Sequence, residues 1–316
     1  MIKIPFFLVT GFLGSGKTTF LKNFINHFSK SHRIGIIQNE FAPGKVDGIE
    51  LKSTGKSFEI LEVNNGSVFC VCLLSSFVKS LSDFIETHKP DIVLLEASGL
   101  SDPVSITEML QGRELVDKIF LAHIWCIVDA SNFEKLGKTL PRIQHQVRVA
   151  DTVVINKSDK ENINLEEINR WIKHLNPYAA IEETSFCNIE LDLDLFGFSV
   201  DPVVMRRQEE HASLERSGRP EIGTYVIKTT KAILLNSLEG FLNEVAPGAF
   251  RIKGFVRLEN NKMIAVQSCF GETKMEFLKD YSGPTELIGV GPDIDHLTFG
   301  SRFRDYQNSS QKESTQ

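Results

Sequence analysis

Short apolar runs alternate with longer amphipathic segments over residues 1–196 of the chain. Segments such as KTTFLKNFINHFSK place their apolar residues at helical intervals. Five apolar runs end in polar or glycine residues: IPFFLVTG, RIGIIQNE, DIVLLEASG, HIWCIVDA and DTVVINKSD. Solidly apolar strands that alternate with helices are typical of a parallel sheet covered on both faces. The pattern predicts a doubly wound α/β domain whose functional groups lie at the carboxyl ends of the strands.

The pattern changes after residue 196. Residues 197–221 are polar and charged and contain prolines, which predicts a linker. Residues 222–300 predict a small α+β domain, with strands in GTYVIKTT and PTELIGVGPDID, a helix in LLNSLEGFLNEVAP, and a hairpin in RIKGFVRLENNKMIAVQSCFG that turns at Asn260-Asn261. Residues 301–316 are polar and low in apolar residues, so we expect a disordered tail there.

Composition and charge narrow the class of partner. The chain has 316 residues, of which 41% are hydrophobic and 24% charged, as in globular proteins with a real core. Its formal net charge of -6 provides no general basic field, so we expect neither nucleic acid nor a membrane as partner. The five scattered cysteines favour reduced thiols over a disulfide framework, and hence a cytoplasmic protein.

The segment GFLGSGKTT fits the pattern G-x-x-x-x-G-K-[ST] of a phosphate-binding loop and lies between a predicted strand and a predicted helix. Glycines let successive backbone N–H groups converge on phosphate oxygens, Lys17 reaches the terminal phosphates, and the Thr18 hydroxyl is placed to bind Mg²⁺. The predicted nucleotide-binding residues of this loop are Gly11, Gly14, Ser15, Gly16, Lys17, Thr18 and Thr19.

A second strand end carries Asn156-Lys157-Ser158-Asp159. The Asp159 carboxylate can accept hydrogen bonds from the ring N1–H and the exocyclic amine of guanine, whereas adenine offers no matching pair of donors. Asn156 can support the loop and the base edge, and the aliphatic part of Lys157 can cover the purine face. Next to a phosphate-binding loop, this motif favours GTP over ATP.

A third strand end carries Glu96-Ala97-Ser98-Gly99. A carboxylate here can act on Mg²⁺, directly or through water, or orient the attacking water, and the Gly99 N–H can sense the γ-phosphate. The alternative is a solvated strand-end carboxylate without a role. The three strand ends together predict a GTPase in which Lys17, Glu96 and Gly99 are the catalytic residues.

The motifs occur in the order in which they are found in the CobW-type GTPases, which are relatives of the nickel-inserting GTPases of urease and hydrogenase. The resemblance rests on GFLGSGKTT, NEF, the Asn-Gly and cysteine stretch, EASGLSDP, IVDA, QVRVAD and NKSD, and more loosely on YVIK, RIKGFVRL and ELIGVG. It implies a slow GTPase with Mg²⁺ that acts as a metallochaperone or assists cobalamin or metalloenzyme assembly. It also implies a metal site beside the γ-phosphate and a client metalloprotein, which the sequence does not name.

The metal motif of that family, Asn-Gly-Cys-aliphatic-Cys-Cys, is incomplete in the stretch VNNGSVFCVC. Aligned without gaps it keeps one thiol, and with a three-residue insertion it keeps Cys70 and Cys72. Two thiolates suit Zn²⁺ or another borderline-soft ion such as Co²⁺. The resemblance makes Glu40 the third ligand, and a water, Asp47 or a more distant cysteine can supply the fourth. The alternative is that both thiols are inert packing residues.

The remaining candidates have simpler interpretations. We expect Cys126 in the core, Cys187 in the loop that should contact guanine, Cys269 in a strand of the small domain, and His145 on a helix surface. Two other functions stay open: a nucleotide-switched protein–protein module without a metal, and a P-loop kinase for a small molecule. A homo-oligomer is the default assembly.

Overall fold

The computed structural model describes residues 3–40, 58–64, 71–99, 101–133, 140–191, 222–269, 271–279, 281–291 and 294–313. At residues 39, 40, 62–64, 71–75 and 310–313 it describes the backbone alone. The predicted linker, residues 197–221, lies outside the described residues.

Within the described residues, seven strands form a parallel sheet in the first part of the chain. They are β1 (Ile4–Thr10), β2 (Ile34–Glu40), β3 (Glu59–Asn64), β4 (Ile92–Glu96), β5 (Ile119–Asp129), β6 (Thr152–Asn156) and β7 (Ala180–Glu183). Their spatial order is β3-β2-β4-β1-β5-β6-β7, and every neighbouring pair is parallel. This confirms the predicted doubly wound fold, with β1 at the centre and the strand ends that carry the motifs along one edge.

Helices cover this sheet. They are α1 (Lys17–Phe28), α2 (Val71–His88), α3 (Pro103–Met109), α4 (Pro141–Val149) and α5 (Leu165–Leu175). On α1 the apolar residues recur at helical spacing, and Phe20 and Phe24 are completely buried. Both rings pack against Trp125 of β5, at centroid distances of 5.1 and 6.1 Å. Because each buried aromatic side chain contributes about 1.5–3 kcal/mol, this packing fixes α1 against the central strands and thereby both ends of the phosphate-binding loop.

A second, antiparallel sheet follows in residues 222–291. Its strands within the described residues are β8 (Gly223–Thr229), β9 (Arg251–Arg257), β10 (Met263–Cys269), β11 (Glu272–Leu278) and β12 (Thr285–Gly291), in the spatial order β11-β10-β9-β12-β8. Helix α6 (Leu235–Val245) lies between β8 and β9 in the chain. The predicted hairpin is present as β9 and β10, and Asn261 takes the left-handed conformation at its turn, with φ 59°.

The prediction of a disordered tail over residues 301–316 is wrong for residues 301–313, and residues 314–316 lie outside the described residues. Helix α7 (Arg302–Glu313) follows a π-helical turn, His296–Ser301, and packs on α6. Phe303 is completely buried and its ring lies 5.1 Å from that of Phe241, while Gln307 donates a hydrogen bond to the carbonyl of Lys231. Phe303 and Gln307, which are one helical turn apart, anchor this segment, and its polar composition conceals them.

The two sheets meet at a buried ionic cluster. Asp151, which precedes β6, pairs with Arg251 at 2.8 Å and with Lys253 at 3.3 Å, both from β9. Burial by itself would raise the pKa of Asp151, but the two cations outweigh it and hold that pKa far below its usual range. The N–H of Leu121 also donates to the Thr224 hydroxyl at 3.0 Å. Charged and polar contacts therefore fix the second sheet against the parallel one.

His145 lies on helix α4, but its side chain is only 22% exposed and is ion-paired, in contrast to the predicted helix surface. Its imidazole lies between two carboxylates, with Nδ1 3.1 Å from Asp102 of the first domain and Nε2 2.7 Å from Glu286 of β12. Lys228 of β8 lies 3.3 Å from Glu286 and 3.7 Å from Asp102. The polar sequence around His145 is that of a helix face, and it is the packing of the second sheet on α4 that buries this face.

Candidate nucleotide site

The phosphate-binding loop connects β1 to α1 through three glycines in left-handed or otherwise glycine-favoured conformations. Their φ angles are 136° at Gly11, 74° at Gly14 and 111° at Gly16. A Cβ at Gly11 would lie 2.2 Å from the carbonyl oxygen of Ile127, so a side chain cannot fit there. Lys17 is buried and its Nζ donates to the Phe12 carbonyl at 3.2 Å, which holds the amine over the loop.

A carboxylate and a hydroxyl meet at the first turn of α1. The Oγ1 of Thr18 donates to Oε1 of Glu96 at 3.3 Å, and Nε2 of Gln38 donates to Oε2 of the same carboxylate at 3.2 Å. Glu96 ends β4 and Gln38 lies near the end of the neighbouring β2, so the parallel register brings them together. Hydroxyl and carboxylate oxygens are the ligands that Mg²⁺ prefers, so this pair fits the ion that the resemblance implies.

Gly99 faces the phosphate-binding loop from the segment after β4. A Cβ at Gly99 would lie 2.8 Å from the backbone nitrogen of Leu13, so the two segments are in close contact. The buried side chain of Gln146 on α4 donates to the carbonyls of Gly99 and Ser101, at 3.2 and 3.0 Å. Helix α4 therefore holds the backbone on which a γ-phosphate sensor would depend.

The predicted guanine motif starts where β6 ends and is bonded to the phosphate-binding loop. The buried Asn156 donates from Nδ2 to the Ser15 carbonyl at 2.8 Å. Lys157 takes a left-handed conformation, with φ 63°, and its Nζ donates to the Gly14 carbonyl at 2.8 Å and pairs with Asp129 at 2.6 Å. The Asp159 side chain is exposed. One amide and one amine thus place the base-recognition motif directly beside the phosphate loop.

The segment after β7 lies next to this motif and is hydrogen-bonded to it. The N–H of Ser158 donates to the Thr184 carbonyl at 3.1 Å, and the N–H of Cys187 donates to Oδ1 of Asn156 at 3.0 Å. The Cys187 thiol is buried 3.4 Å from the Gly16 carbonyl, and burial raises its pKa to about 12. Cys187 therefore supports the loop and is not a reactive thiol. Cys126 lies in the core, as predicted.

The candidate metal ligands fall at the limit of the described residues. Cys70 lies outside them, and for Glu40, which ends β2, and Cys72 the structure describes the backbone alone. Cys72 is the second residue of helix α2. In the described part of the chain, no three His, Cys, Asp or Glu side chains lie close enough together to hold a metal ion.

The structure brings the three predicted strand ends together and adds residues that the sequence analysis did not single out. Gln38 contacts Glu96, Gln146 holds Gly99, and Asp129 pairs with Lys157. The QVRVAD and IVDA motifs contained Gln146 and Asp129, but nothing in the sequence showed what their side chains contact. Among the described residues, no helix has the length and apolar character that crossing a membrane requires.

Comparison with known proteins identifies the first domain. Residues 5–183 match the family model of the CobW/HypB/UreG nucleotide-binding domain, which covers more than half of the chain.

Individual relatives match to different extents. The zinc chaperone CobW of a Sinorhizobium species is 27% identical over 302 residues, a match that spans 83% of either chain. The zinc chaperone YeiR of Escherichia coli is 31% identical over 166 residues, which are 52% of this chain and 50% of that protein. The Zn(II)-bound YjiA GTPase from E. coli aligns over 97% of this chain and 99% of its own, at 18% identity and a TM-score of 0.48.

Proposed function

Because the chain is a GTPase of the CobW/HypB/UreG family, we propose that it is a zinc metallochaperone that couples its nucleotide state to the binding and delivery of zinc. In this proposal zinc is the cargo, and Mg²⁺ with GTP forms the switch.

We assign the nucleotide roles to residues at the three strand ends. The loop amides and Lys17 neutralise the phosphates, and Thr18 and Glu96 would hold Mg²⁺, which would supply positive charge at the transferred phosphoryl group. The Gly99 N–H contacts the γ-phosphate. Asn156 and Lys157 place Asp159 at the guanine edge, and Asp159 selects this base.

The observation that carries the coupling is the hydrogen-bond pair at Glu96. Gln38 bonds the same carboxylate as Thr18 and precedes Glu40 by two residues on β2. When the γ-phosphate leaves, the contacts of Glu96 change. Strand β2 therefore transmits this change from Gln38 to Glu40, the residue proposed as a zinc ligand. We place zinc at Cys70, Cys72 and Glu40, since two thiolates and a carboxylate suit this ion better than Mg²⁺ or Ca²⁺.

The relatives support the choice of metal. CobW and YeiR are both named zinc chaperones, and we extend this cargo to the present chain in preference to cobalt. The receiving partner in the proposal is a metalloprotein in the reducing cytoplasm, where the thiols stay available for metal binding.

The test is an anaerobic zinc titration of the reduced, GDP-loaded protein in competition with a chromophoric chelator. It compares the wild type with a Cys70→Ser/Cys72→Ser double variant. The matched control is Cys269→Ser, because Cys269 is an exposed thiol at the end of β10 in the second sheet.

We expect one zinc ion to bind tightly to the wild type and to the control, and the double variant to lose this binding. Equal zinc binding in all three proteins would contradict the metal site. Absence of zinc binding in all three proteins would instead make the chain a GTP-switched protein–protein module, the function that the incomplete cysteine motif favours if no metal is bound.

A further inference from the structure

The loop beside the guanine motif contains two consecutive residues in an unfavourable backbone conformation. Phe186 and Cys187 have φ angles of 57° and 52°, in the left-handed region that residues with a Cβ rarely adopt. Phe186 is 75% exposed, so packing of its own ring does not enforce this conformation. Contacts with neighbouring elements must therefore stabilise the loop.

The side chain of Asn23 supplies such a contact. Its Nδ2 donates to the Phe186 carbonyl and to the Cys187 carbonyl, each at 2.9 Å. A carboxamide nitrogen carries two hydrogens, so one side chain can bond both strained peptide groups. Asn23 lies on α1, six residues after Lys17. The helix that begins at the phosphates therefore also holds the loop next to the base.

The loop in turn is bonded to two residues of the guanine motif, Asn156 and Ser158. Cys187 donates its N–H to Asn156, and the Thr184 carbonyl accepts from Ser158, the neighbour of Asp159. Asn156 continues the connection to the Ser15 carbonyl in the phosphate loop. A displaced 184–188 loop would remove partners from the motif on which the recognition of guanine depends.

We propose that Asn23 is a positioning residue for guanine selectivity, which acts by holding Phe186 and Cys187 in the left-handed conformation. The inference rests on the guanine site proposed above. Asn23 is half-buried and lies outside the phosphate loop, so its loss should leave the phosphate contacts intact.

The experiment measures the affinities of the full-length protein for GDP and for ADP by calorimetry. Two variants remove the donor. Asn23→Ala deletes the carboxamide, and Asn23→Asp keeps its size but turns a carboxylate toward two carbonyl oxygens. Asn26→Ala is the matched control, since Asn26 is an exposed residue of the same type on the same helix. Asp159→Ala tests the guanine site itself, and thermal unfolding verifies that each variant is folded.

We expect Asn23→Ala to weaken GDP binding about tenfold, since two hydrogen bonds to carbonyl groups are lost. Asn23→Asp should weaken it at least as much, and in both variants ADP binding should stay within about twofold of the wild type. The GDP-to-ADP ratio then falls, whereas a general loss of stability would lower both affinities together. The Asn26→Ala protein should keep the wild-type ratio.

Suppose that the wild type is selective for GDP and that Asp159→Ala abolishes this selectivity. An unchanged GDP-to-ADP ratio in both Asn23 variants would then overturn the role of Asn23 but leave the guanine site intact. A wild type that does not distinguish GDP from ADP would instead refute the guanine site and, with it, this inference.

Discussion

The charge of His145 should make the stability of the protein depend on pH. Its imidazole contacts Asp102 of the first domain and Glu286 of the second sheet. Burial by itself would lower the pKa of His145, but its hydrogen bonds and ion pairs with these two carboxylates outweigh burial and raise the pKa to about 9. The charged and titratable groups around this cluster also include Lys228 and Glu108, from β8 and α3.

The magnitude follows from the displacement of the pKa. It rises from 6.5 in the unfolded chain to about 9 in the folded protein. At about 1.4 kcal/mol per pKa unit, the 2.5-unit difference (9 − 6.5) corresponds to about 3 kcal/mol of folding free energy. The folded state binds this proton more tightly. The contribution is therefore complete below pH 6.5 and is lost as the pH rises through 9.

The measurement is the free energy of unfolding in urea at several values between pH 6 and pH 9.5, for the wild type and for His145→Gln. Glutamine retains a hydrogen-bond donor but carries no charge at any pH. We expect the difference in unfolding free energy between the two proteins to be largest at pH 6 and to shrink by about 3 kcal/mol by pH 9.5. The comparison cancels the titration of groups that the two proteins share. Curves that remain parallel over this range would refute the reasoning.

Three further substitutions test individual contacts. Glu96→Gln should slow GTP hydrolysis at least about tenfold in single-turnover assays, because a charge next to Thr18 is lost, while GDP affinity should change by less than about twofold. An unchanged rate of hydrolysis would exclude a catalytic role for Glu96. Gly16→Ala places a Cβ 2.3 Å from the Asn156 side chain, at a position where the backbone φ is 111°. GDP affinity measured by calorimetry should therefore fall at least about tenfold, and an affinity equal to that of the wild type would contradict the loop geometry. Asn176→Ala removes one hydrogen bond from each of two buried carbonyl groups at the end of α4, those of Val147 and Ala150, which keep the Ala150 N–H and the Lys253 amine as their other donors. The unfolding free energy in urea should fall by about 1–3 kcal/mol, and a change below about 0.5 kcal/mol would argue against these bonds.

The sheet and the nucleotide motifs of the first domain are predictable because their signals are local. Solidly apolar strands and a glycine-rich turn depend on neighbours in sequence, and all five predicted apolar runs are strands of the parallel sheet. The edge strand β7 was not predicted, since its residues AIEE are mostly exposed and lack the apolar run of a buried strand. Its importance lies in the loop that follows it.

Side-chain contacts between distant segments are not predictable in the same way. Asn23 and Phe186 are 163 positions apart, and only the tertiary fold brings α1 and the loop after β7 into contact. His145 has the sequence environment of an exposed helix residue, and Glu286, which pairs with it, comes from another domain. Helix α7 depends on Phe303, whose partner Phe241 precedes it by 62 residues. Each of these features depends on tertiary packing, which hydrophobic periodicity does not encode.

The central claim is that nucleotide state and zinc binding are coupled. The most direct test is to measure the zinc dissociation constant with GDP bound and with a non-hydrolysable GTP analogue bound, and to take the ratio of the two. Linkage requires that zinc change the ratio of the two nucleotide affinities by the same factor. We predict a ratio that differs from one by at least about fivefold and that approaches one when Gln38→Ala breaks the contact between β2 and Glu96. A ratio of one in a wild type that binds zinc tightly through Cys70 and Cys72 would contradict the account.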